Sequence, residues 1–326
     1  MKTMIVTGGA GFIGSCFVRM MVEQGQYRVI NLDALTYAGT LDNLPGITDS
    51  DTYQFVHGNI LDRNLVNRLF AENTIDYVLN FAAESHVDNS IENPAIFLET
   101  NILGTQVLLD AALKSWKLEP DNKYSRDYKP GVKFLQVSTD EVYGELGATG
   151  MFTELTPLAP NSPYSASKAS ADMIVAAYAH TYGLPTNITR CSNNYGPYQF
   201  AEKLIPLMIT NALADKALPV YGDGMQVRDW LHVSDHCEAI LTVLEKGQLG
   251  EVYNIGGNNE WANIEIVKLM LKELGKPESL ITYVQDRPGH DKRYAIDNTK
   301  ITTQLGWSPK YTFEQGIVET IAAYRA

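Results

Sequence analysis

Tyr164-Ser-Ala-Ser-Lys168 sets a phenol and an ammonium four residues apart. On a helix, positions i and i+4 share one face, so the two groups come together. A positive neighbour favours phenolate and lowers a phenol pKa that starts near ~10. Tyr164 then serves as a base near neutral pH, taking a hydroxyl proton as hydride leaves the carbon beneath it. Upstream, Val137-Ser-Thr-Asp-Glu-Val-Tyr-Gly144 carries a hydroxyl, Thr139, beside two adjacent carboxyls, Asp140 and Glu141. Two carboxyls in one pocket push their pKa values apart, so one can act as acid and the other as base. Each pattern alone is ordinary: Tyr-x-x-x-Lys recurs by accident, and an Asp-Glu pair commonly ends a strand in water. Together, and downstream of a dinucleotide signature, Thr139, Asp140, Glu141, Tyr164 and Lys168 make a candidate catalytic set.

That signature is Gly8-Gly-Ala-Gly11-Phe-Ile-Gly14, set between an apolar run and a helical stretch. Gly8, Gly11 and Gly14 permit a tight turn, close approach of backbone to a pyrophosphate and packing of helix on strand. The helix N-terminus offers free N–H groups to the anion. Asp33 closes the second strand about 20 residues on, where an acid bonds the ribose hydroxyls of an adenosine. Its charge repels a 2′-phosphate, which favours NAD over NADP. Phe81-Ala-Ala83 ends the fourth strand with small residues that leave room for a cofactor beside the sheet.

The frame for these groups is written in the hydrophobic pattern. Strands are expected at Thr3–Thr7, Arg28–Asp33, Tyr53–His57, Asp76–Phe81, Val132–Ser138 and Thr186–Cys191. Helices are expected at Phe12–Gln24, Asp62–Ala71 with Asp62 as N-cap, Pro94–Lys117 and Tyr164–Tyr182. This alternation predicts an α/β fold, a Rossmann-type doubly wound parallel sheet that binds ligands at the carboxyl ends of its strands. The polar stretch Glu119–Pro130 reads as a surface loop. Past residue 191, turn signals such as Asn194-Tyr-Gly-Pro197 and Gly222-Asp-Gly224 multiply, with shorter helices expected at Lys203–Ala214 and Asn263–Leu274. The expected division is a dinucleotide-binding domain over residues 1–190 and a smaller C-terminal substrate-binding lobe over 191–326. Part of 232–258, around Val252–Ile255, is expected to return to the main sheet.

The chain has 326 residues, 45% hydrophobic and 20% charged, ordinary values for a globular protein of two domains. Its net charge of −12 argues against nonspecific nucleic-acid binding and suits an acidic, soluble surface. A diphosphate ligand must therefore be met by local Arg, Lys or helix N-termini. No apolar run reaches the ~18 residues of a membrane span. The apolar Met4-Ile-Val6 lacks a basic leader, so secretion is not expected either. Cys16, Cys191 and Cys237 are widely spaced, fit no metal pattern and read as reduced thiols of a cytoplasmic protein.

Over nearly its whole length the chain resembles the extended short-chain dehydrogenase/reductase superfamily and, within it, the dTDP-glucose 4,6-dehydratase family. The matching segments are the glycine loop, Ala82-Ala-Glu-Ser-His-Val-Asp88, Glu99-Thr-Asn101, Ser138–Tyr143, Tyr164–Lys168, Arg190-Cys-Ser-Asn-Asn-Tyr-Gly-Pro197, Glu202-Lys-Leu204, Val227-Arg-Asp-Trp230 and Arg287-Pro-Gly-His-Asp291. The Asp140–Glu141 pair sets the chain apart from 4-epimerases, which share the tyrosine and lysine. The resemblance implies a redox-neutral reaction on dTDP-glucose. Tyr164, with Lys168 and Thr139, deprotonates the C4 hydroxyl as hydride passes to NAD. Glu141 then removes the C5 proton, Asp140 protonates the departing C6 hydroxyl as water, and hydride returns to C6. NAD stays bound between cycles.

The residues so implied for NAD are Gly8, Gly11, Phe12, Ile13, Gly14, Asp33, Thr36, Asn59, Ile60, Ala82, Ala83, Thr100, Tyr164 and Lys168. For the substrate they are Ser85, His86, Asp88 and Asn193 at the hexose, Asn194, Lys203 and Arg228 at the diphosphate with His290 nearby, and Pro219 and Tyr221 at the base. Leu204 and Asn263 are implied as further contacts, and no metal is. Asn59 stands where the family usually has Asp, and Ala201 where it usually has proline. A homodimer pairing the two long helices is also implied; the apolar stripes Leu103, Val107, Leu108 and Ala111 on one helix and Met173, Ala176, Ala177 and His180 on the other suit that pairing and packing on the chain's own sheet equally. Alternatives are a dehydratase for another nucleotide sugar, or a 4-epimerase or UDP-sugar decarboxylase, neither of which needs Glu141. A non-catalytic NAD sensor is a further class, and it leaves the catalytic set unexplained.

Overall fold

The structure is a computed structural model that describes residues 1–47, 50–286 and 291–325. Its first half alternates β1 (Lys2–Thr7), α1 (Phe12–Gln24), β2 (Tyr27–Asp33), β3 (Tyr53–His57), α2 (Arg63–Glu72), β4 (Tyr77–Asn80), α3 (Val87–Glu92), α4 (Pro94–Phe97), α5 (Thr105–Trp116), β5 (Lys133–Thr139), α6 (Pro163–Tyr182) and β6 (Thr186–Cys191). The second half holds β7 (Asn193–Tyr195), α7 (Leu204–Leu213), β8 (Leu218–Tyr221), β9 (Val227–His232), α8 (Val233–Lys246), β10 (Val252–Ile255), β11 (Glu260–Ala262), α9 (Asn263–Leu274), β12 (Ile281–Val284), α10 (Thr299–Leu305) and α11 (Phe313–Arg325).

The main sheet has seven strands in the order β10-β6-β5-β4-β1-β2-β3, and every neighbouring pair runs parallel. From β1 the order steps outward both ways, so the chain is doubly wound and its topological switch lies between β1 and β4. β5 and β6 are buried at every position, as central parallel strands covered on both faces must be. One face packs against α1 and α8 through Phe17, Val18, Met21, Ile240 and Val243. The other packs against α2, α5 and α6 through Leu65, Leu69, Leu108, Trp116 and Val175. Burying each such side chain stabilises the fold by roughly 1.5–3 kcal/mol. β7, β9 and β11 form a small second sheet, and β8 pairs with β12. A third core, including Ile209, Trp230, Val267, Met270 and Phe313, fills the C-terminal region.

Local chemistry sets the boundaries. Asp62 caps α2 by accepting from the Asn64 and Leu65 amides at 3.0 Å, and Ser162 and Ser165 form a reciprocal cap at the start of α6. Gly25 and Gly183 end α1 and α6 in the left-handed conformation. The helix expected over Pro94–Lys117 is continuous over Pro94–Trp116, but Leu98–Gly104 takes the wider π form. Asn101 lies in that segment and ties it to both neighbours. Its Nδ2 donates to Ser167 Oγ at 2.8 Å and to the Glu84 carbonyl at 3.0 Å, and its Oδ1 accepts from the Glu84 amide at 2.9 Å. Such π turns gather at functional sites.

By length and composition this helix could cross a membrane; here it lies half buried on the sheet. Of the two readings of the first stripe, Val107, Leu108 and Ala111 take the second and pack inward on the chain's own sheet. Leu98 and Leu103 face outward, as do Met173, Ala176 and Ala177 of α6.

Candidate active site

The carboxyl ends of β1, β2, β4, β5 and β6 open into one cleft of about 330 Å³. Every residue expected to hold NAD lines it: Gly8, Gly11, Phe12, Ile13, Gly14, Asp33, Thr36, Asn59, Ile60, Ala82, Ala83, Thr100, Tyr164 and Lys168. Gly8 adopts φ 68°, and a Cβ there would stand 2.7 Å from the Ala82 nitrogen. A Cβ on Gly14 would stand 2.2 Å from the Gly8 carbonyl oxygen, whereas one on Gly11 would meet only that oxygen, at 3.3 Å. Gly9, which the spacing did not single out, is as constrained, with a Cβ placed 2.3 Å from Asn31 Oδ1. α1 begins with no side-chain cap and no acid in its first turn, so its leading N–H groups are left for an anion. Asp33 accepts from the Ala10 and Leu35 amides, each at 2.8 Å. It thus fixes the glycine loop while keeping lone pairs for ribose hydroxyls. Asn59 Oδ1 accepts from the Leu61 amide at 2.9 Å. The uncapped helix, the glycine cradle and the acid on β2 together fit a dinucleotide.

The catalytic set gathers at the carboxyl end of β5. Thr139 is its last residue; Oγ1 donates to Asp140 Oδ1 and accepts from the Glu141 amide, both at 3.3 Å. Thr139, Asp140, Glu141, Tyr164 and Lys168 all line the cleft. Asp140 is only 2% exposed. Burial pushes its carboxyl well above the usual range, and the charges of Glu141 and Asp229 add to the effect against the pull of Arg228. A carboxyl held neutral at working pH is a proton donor.

Tyr164 departs from the expectation. Its phenol lies well above the ordinary value, through burial first and then the negative charge of Glu141. Lys168 does share its face of α6, but its ammonium donates to the Val137 carbonyl at 2.7 Å. Burial lowers the Lys168 pKa, and Asp172 opposes that. Desolvation and two nearby carboxyls therefore outweigh the lysine in the protein alone.

Sequence reading missed what stands behind Lys168. Asp172, one turn further along α6, is 1% exposed and accepts from Arg190 Nε at 2.9 Å. Arg190 Nη1 also donates to the Tyr143 hydroxyl at 3.0 Å. The i to i+4 spacing of Lys168 and Asp172 was the available signal.

Of the expected substrate residues, Ser85, Asn193, Asn194 and Lys203 line the cleft. Lys203 donates to the Ser85 carbonyl at 3.3 Å. Asn194, expected at a diphosphate, has its amide engaged inward: Nδ2 donates to the Ser192 carbonyl and Oδ1 meets His236 Nδ1, both at 2.9 Å. His86 accepts from the Asn89 amide at the start of α3 and faces Glu202 at 3.6 Å. His86, Asp88 and Leu204 border the cleft in sequence without lining it. Arg228 lies buried on β9, donating to the Val227 and Asp291 carbonyls and stacking 4.4 Å over Tyr294. Its charge reaches Asp140. Pro219 and Tyr221 lie on β8, and Asn263 opens α9 with a buried Oδ1 that has no partner among the described residues. His290 lies outside the described residues. Tyr37, Glu84, Phe200 and Glu202 line the cleft unanticipated, with the Tyr37 and Phe200 rings meeting edge-on at 5.6 Å. Among the described residues no cluster of His, Cys, Asp and Glu is arranged for a metal.

Known proteins share this architecture. A family described as GDP-mannose 4,6 dehydratase matches residues 5–320. A dTDP-glucose 4,6-dehydratase of Xanthomonas campestris pv. campestris (strain B100) is 59% identical over 99% of this chain and 93% of its own. The crystal structure of a dTDP-glucose 4,6-dehydratase from Bacillus anthracis str. Ames in complex with NAD is 54% identical, covering 100% of this chain and 97% of that one, with TM-score 0.90. A Streptomyces venezuelae dTDP-glucose 4,6-dehydratase with NAD and TYD bound is 47% identical, covering 99% and 97%, with TM-score 0.91.

Proposed function

The chain belongs to the GDP-mannose 4,6 dehydratase family, and within it we propose that this enzyme is an NAD-dependent lyase converting dTDP-glucose to dTDP-4-keto-6-deoxyglucose and water. The observation that carries this reading is the Thr139–Asp140–Glu141 run at the carboxyl end of β5, in the same cleft as Tyr164 and Lys168. A 4-epimerase needs the phenol and lysine but has no work for a second carboxyl.

NAD, when bound, would supply the hydride acceptor and donor, and its oxidised nicotinamide would bring a positive charge into the cleft. Tyr164 takes the proton of the C4 hydroxyl, and Thr139 Oγ1 holds that hydroxyl in place. The resulting ketone acidifies the C5 hydrogen, which Glu141 removes. Asp140, neutral through burial, protonates the C6 hydroxyl as the C6–O bond breaks. Lys168, braced by Asp172, fixes the Val137 carbonyl at the end of β5 and stands ready for ribose hydroxyls.

Arg228, Asn263, Pro219 and Tyr221 form the nucleotide end. The unpartnered Asn263 Oδ1 supports this, as a buried acceptor that a base or hydroxyl can satisfy. His86, Asp88 and Asn193 belong to the hexose end. Residues 1–190 serve chiefly the dinucleotide and 191–326 the nucleotide sugar, with β10 completing the main sheet.

The enzyme works as a homodimer in the cytoplasm. Leu98, Leu103 and Met173 are 47, 53 and 56% exposed on two long helices, an apolar face that a second copy would cover. The described cysteines are all free, as in a reducing compartment. Light scattering of the purified protein tests the dimer. Incubation with dTDP-glucose, followed by product mass, tests the reaction, and retained NAD without turnover would favour a sensor instead.

A further inference from the structure

Glu84 follows the small residues at the end of β4. Its backbone is clamped on both sides by Asn101. Its side chain lines the cleft and is 8% exposed. No described residue donates a hydrogen bond or an ion pair to its carboxyl, although Lys203 and Ser85 lie in the same wall. The residue is largely buried, yet its oxygens are not among the buried atoms left without a partner, so they open on the cleft as acceptors that an entering ligand can use. Burial alone raises its pKa, with no cation opposing. That setting disfavours a phosphate, which would meet a carboxyl that no described cation pairs with, and it suits uncharged hydroxyl groups. The residues around it point the same way: Tyr37, which feels its charge and bonds Ser85, and Thr100.

We propose that Glu84 is a sugar-hydroxyl binding residue, whose carboxyl accepts hydrogen bonds from a vicinal diol of a pyranose or ribose lodged against the end of β4. This rests on the reading of the cleft as a dinucleotide and nucleotide-sugar site. The diol belongs either to the hexose of the substrate or to a ribose of the cofactor, and the two sources separate by experiment. Glu84→Gln keeps a carbonyl acceptor of the same reach; Glu84→Ala removes it.

The test purifies wild type and both variants, measures bound NAD per chain after unfolding, and determines kcat and KM with dTDP-glucose at saturating NAD. A melting curve for each variant confirms folding. If the diol is the hexose, Glu84→Ala raises KM by roughly 10- to 100-fold with NAD content unchanged. If it is the ribose, Glu84→Ala purifies with most of its NAD lost and recovers turnover as NAD is added. In either case Glu84→Gln stays within roughly 10-fold of wild type. A folded Glu84→Ala with wild-type NAD content and wild-type KM overturns the proposal. So does a Glu84→Gln as impaired as Glu84→Ala, since that marks a requirement for charge. A wild-type enzyme inactive on dTDP-glucose and devoid of NAD binding would instead defeat the underlying functional reading.

Discussion

Asp172 lies one helical turn beyond Lys168 and pairs with Arg190 at 2.9 Å in a wholly buried site. The carboxylate is the charge that opposes desolvation of the Lys168 ammonium. A lysine buried without it would lose its proton more easily, so the pair behind the cleft sustains the cation inside it.

Asp172→Asn is expected to lower the Lys168 pKa further and leave Arg190 buried without its counter-charge. Breaking one partner of a buried pair costs about 3–5 kcal/mol. The melting temperature should fall, and the alkaline limb of the pH–rate profile should move to lower pH. An unmoved alkaline limb in a folded variant would detach Asp172 from Lys168.

Glu141→Gln should abolish water loss and Asp140→Asn should slow it by roughly 100- to 10,000-fold, the usual range for a lost acid or base. Exchange of the C5 hydrogen into heavy water separates the two. It should vanish in Glu141→Gln and persist in Asp140→Asn. Exchange in both would mean that Glu141 is not the C5 base.

Asp140 also makes a prediction about stability. Its folded pKa is raised, so the unfolded chain gives up the proton more readily. Its contribution is therefore neutral below the unfolded pKa of about 3.9 and turns unfavourable as pH rises from there toward the folded value. Asp140→Asn should melt higher than wild type at neutral pH, with the difference closing toward pH ~4. Equal melting temperatures throughout would show that Asp140 is ionised in the fold at little cost.

Gly11→Ala and Gly8→Ala should behave differently. A methyl on Gly11 meets only the Gly8 oxygen, at 3.3 Å, beside the free end of α1. It should cut NAD retention while leaving the melting temperature within a few degrees. A methyl on Gly8 meets the Ala82 backbone at 2.7 Å at a positive φ, so that variant should be destabilised outright. Absorbance of bound cofactor and a melting curve read both effects.

The cofactor half was legible because its constraints are local. A glycine loop, a helix start and an acid on the next strand follow one another in the chain, and the expected residues all reach the cleft. The parallel, doubly wound sheet followed from strand–helix alternation. What stayed hidden depends on distant pieces meeting. Arg190 comes from β6 to meet Asp172 on α6, and Arg228 comes from β9 to act on Asp140. The elevated phenol of Tyr164 was hidden for the same reason. The i to i+4 rule sees Lys168, but burial and the field of Glu141 exist only once the chain is folded. The apolar stripe on Pro94–Trp116 was ambiguous in sequence because one helix serves two faces; the sheet takes Val107, Leu108 and Ala111 and leaves Leu98 and Leu103 outside.

The most direct measurement is incubation of the purified enzyme with dTDP-glucose, without added NAD, followed by mass spectrometry of the nucleotide sugar. The account predicts a product lighter by about 18 mass units, one water, formed with the NAD that the protein carries. An unchanged substrate mass, even after NAD is supplied, would contradict it.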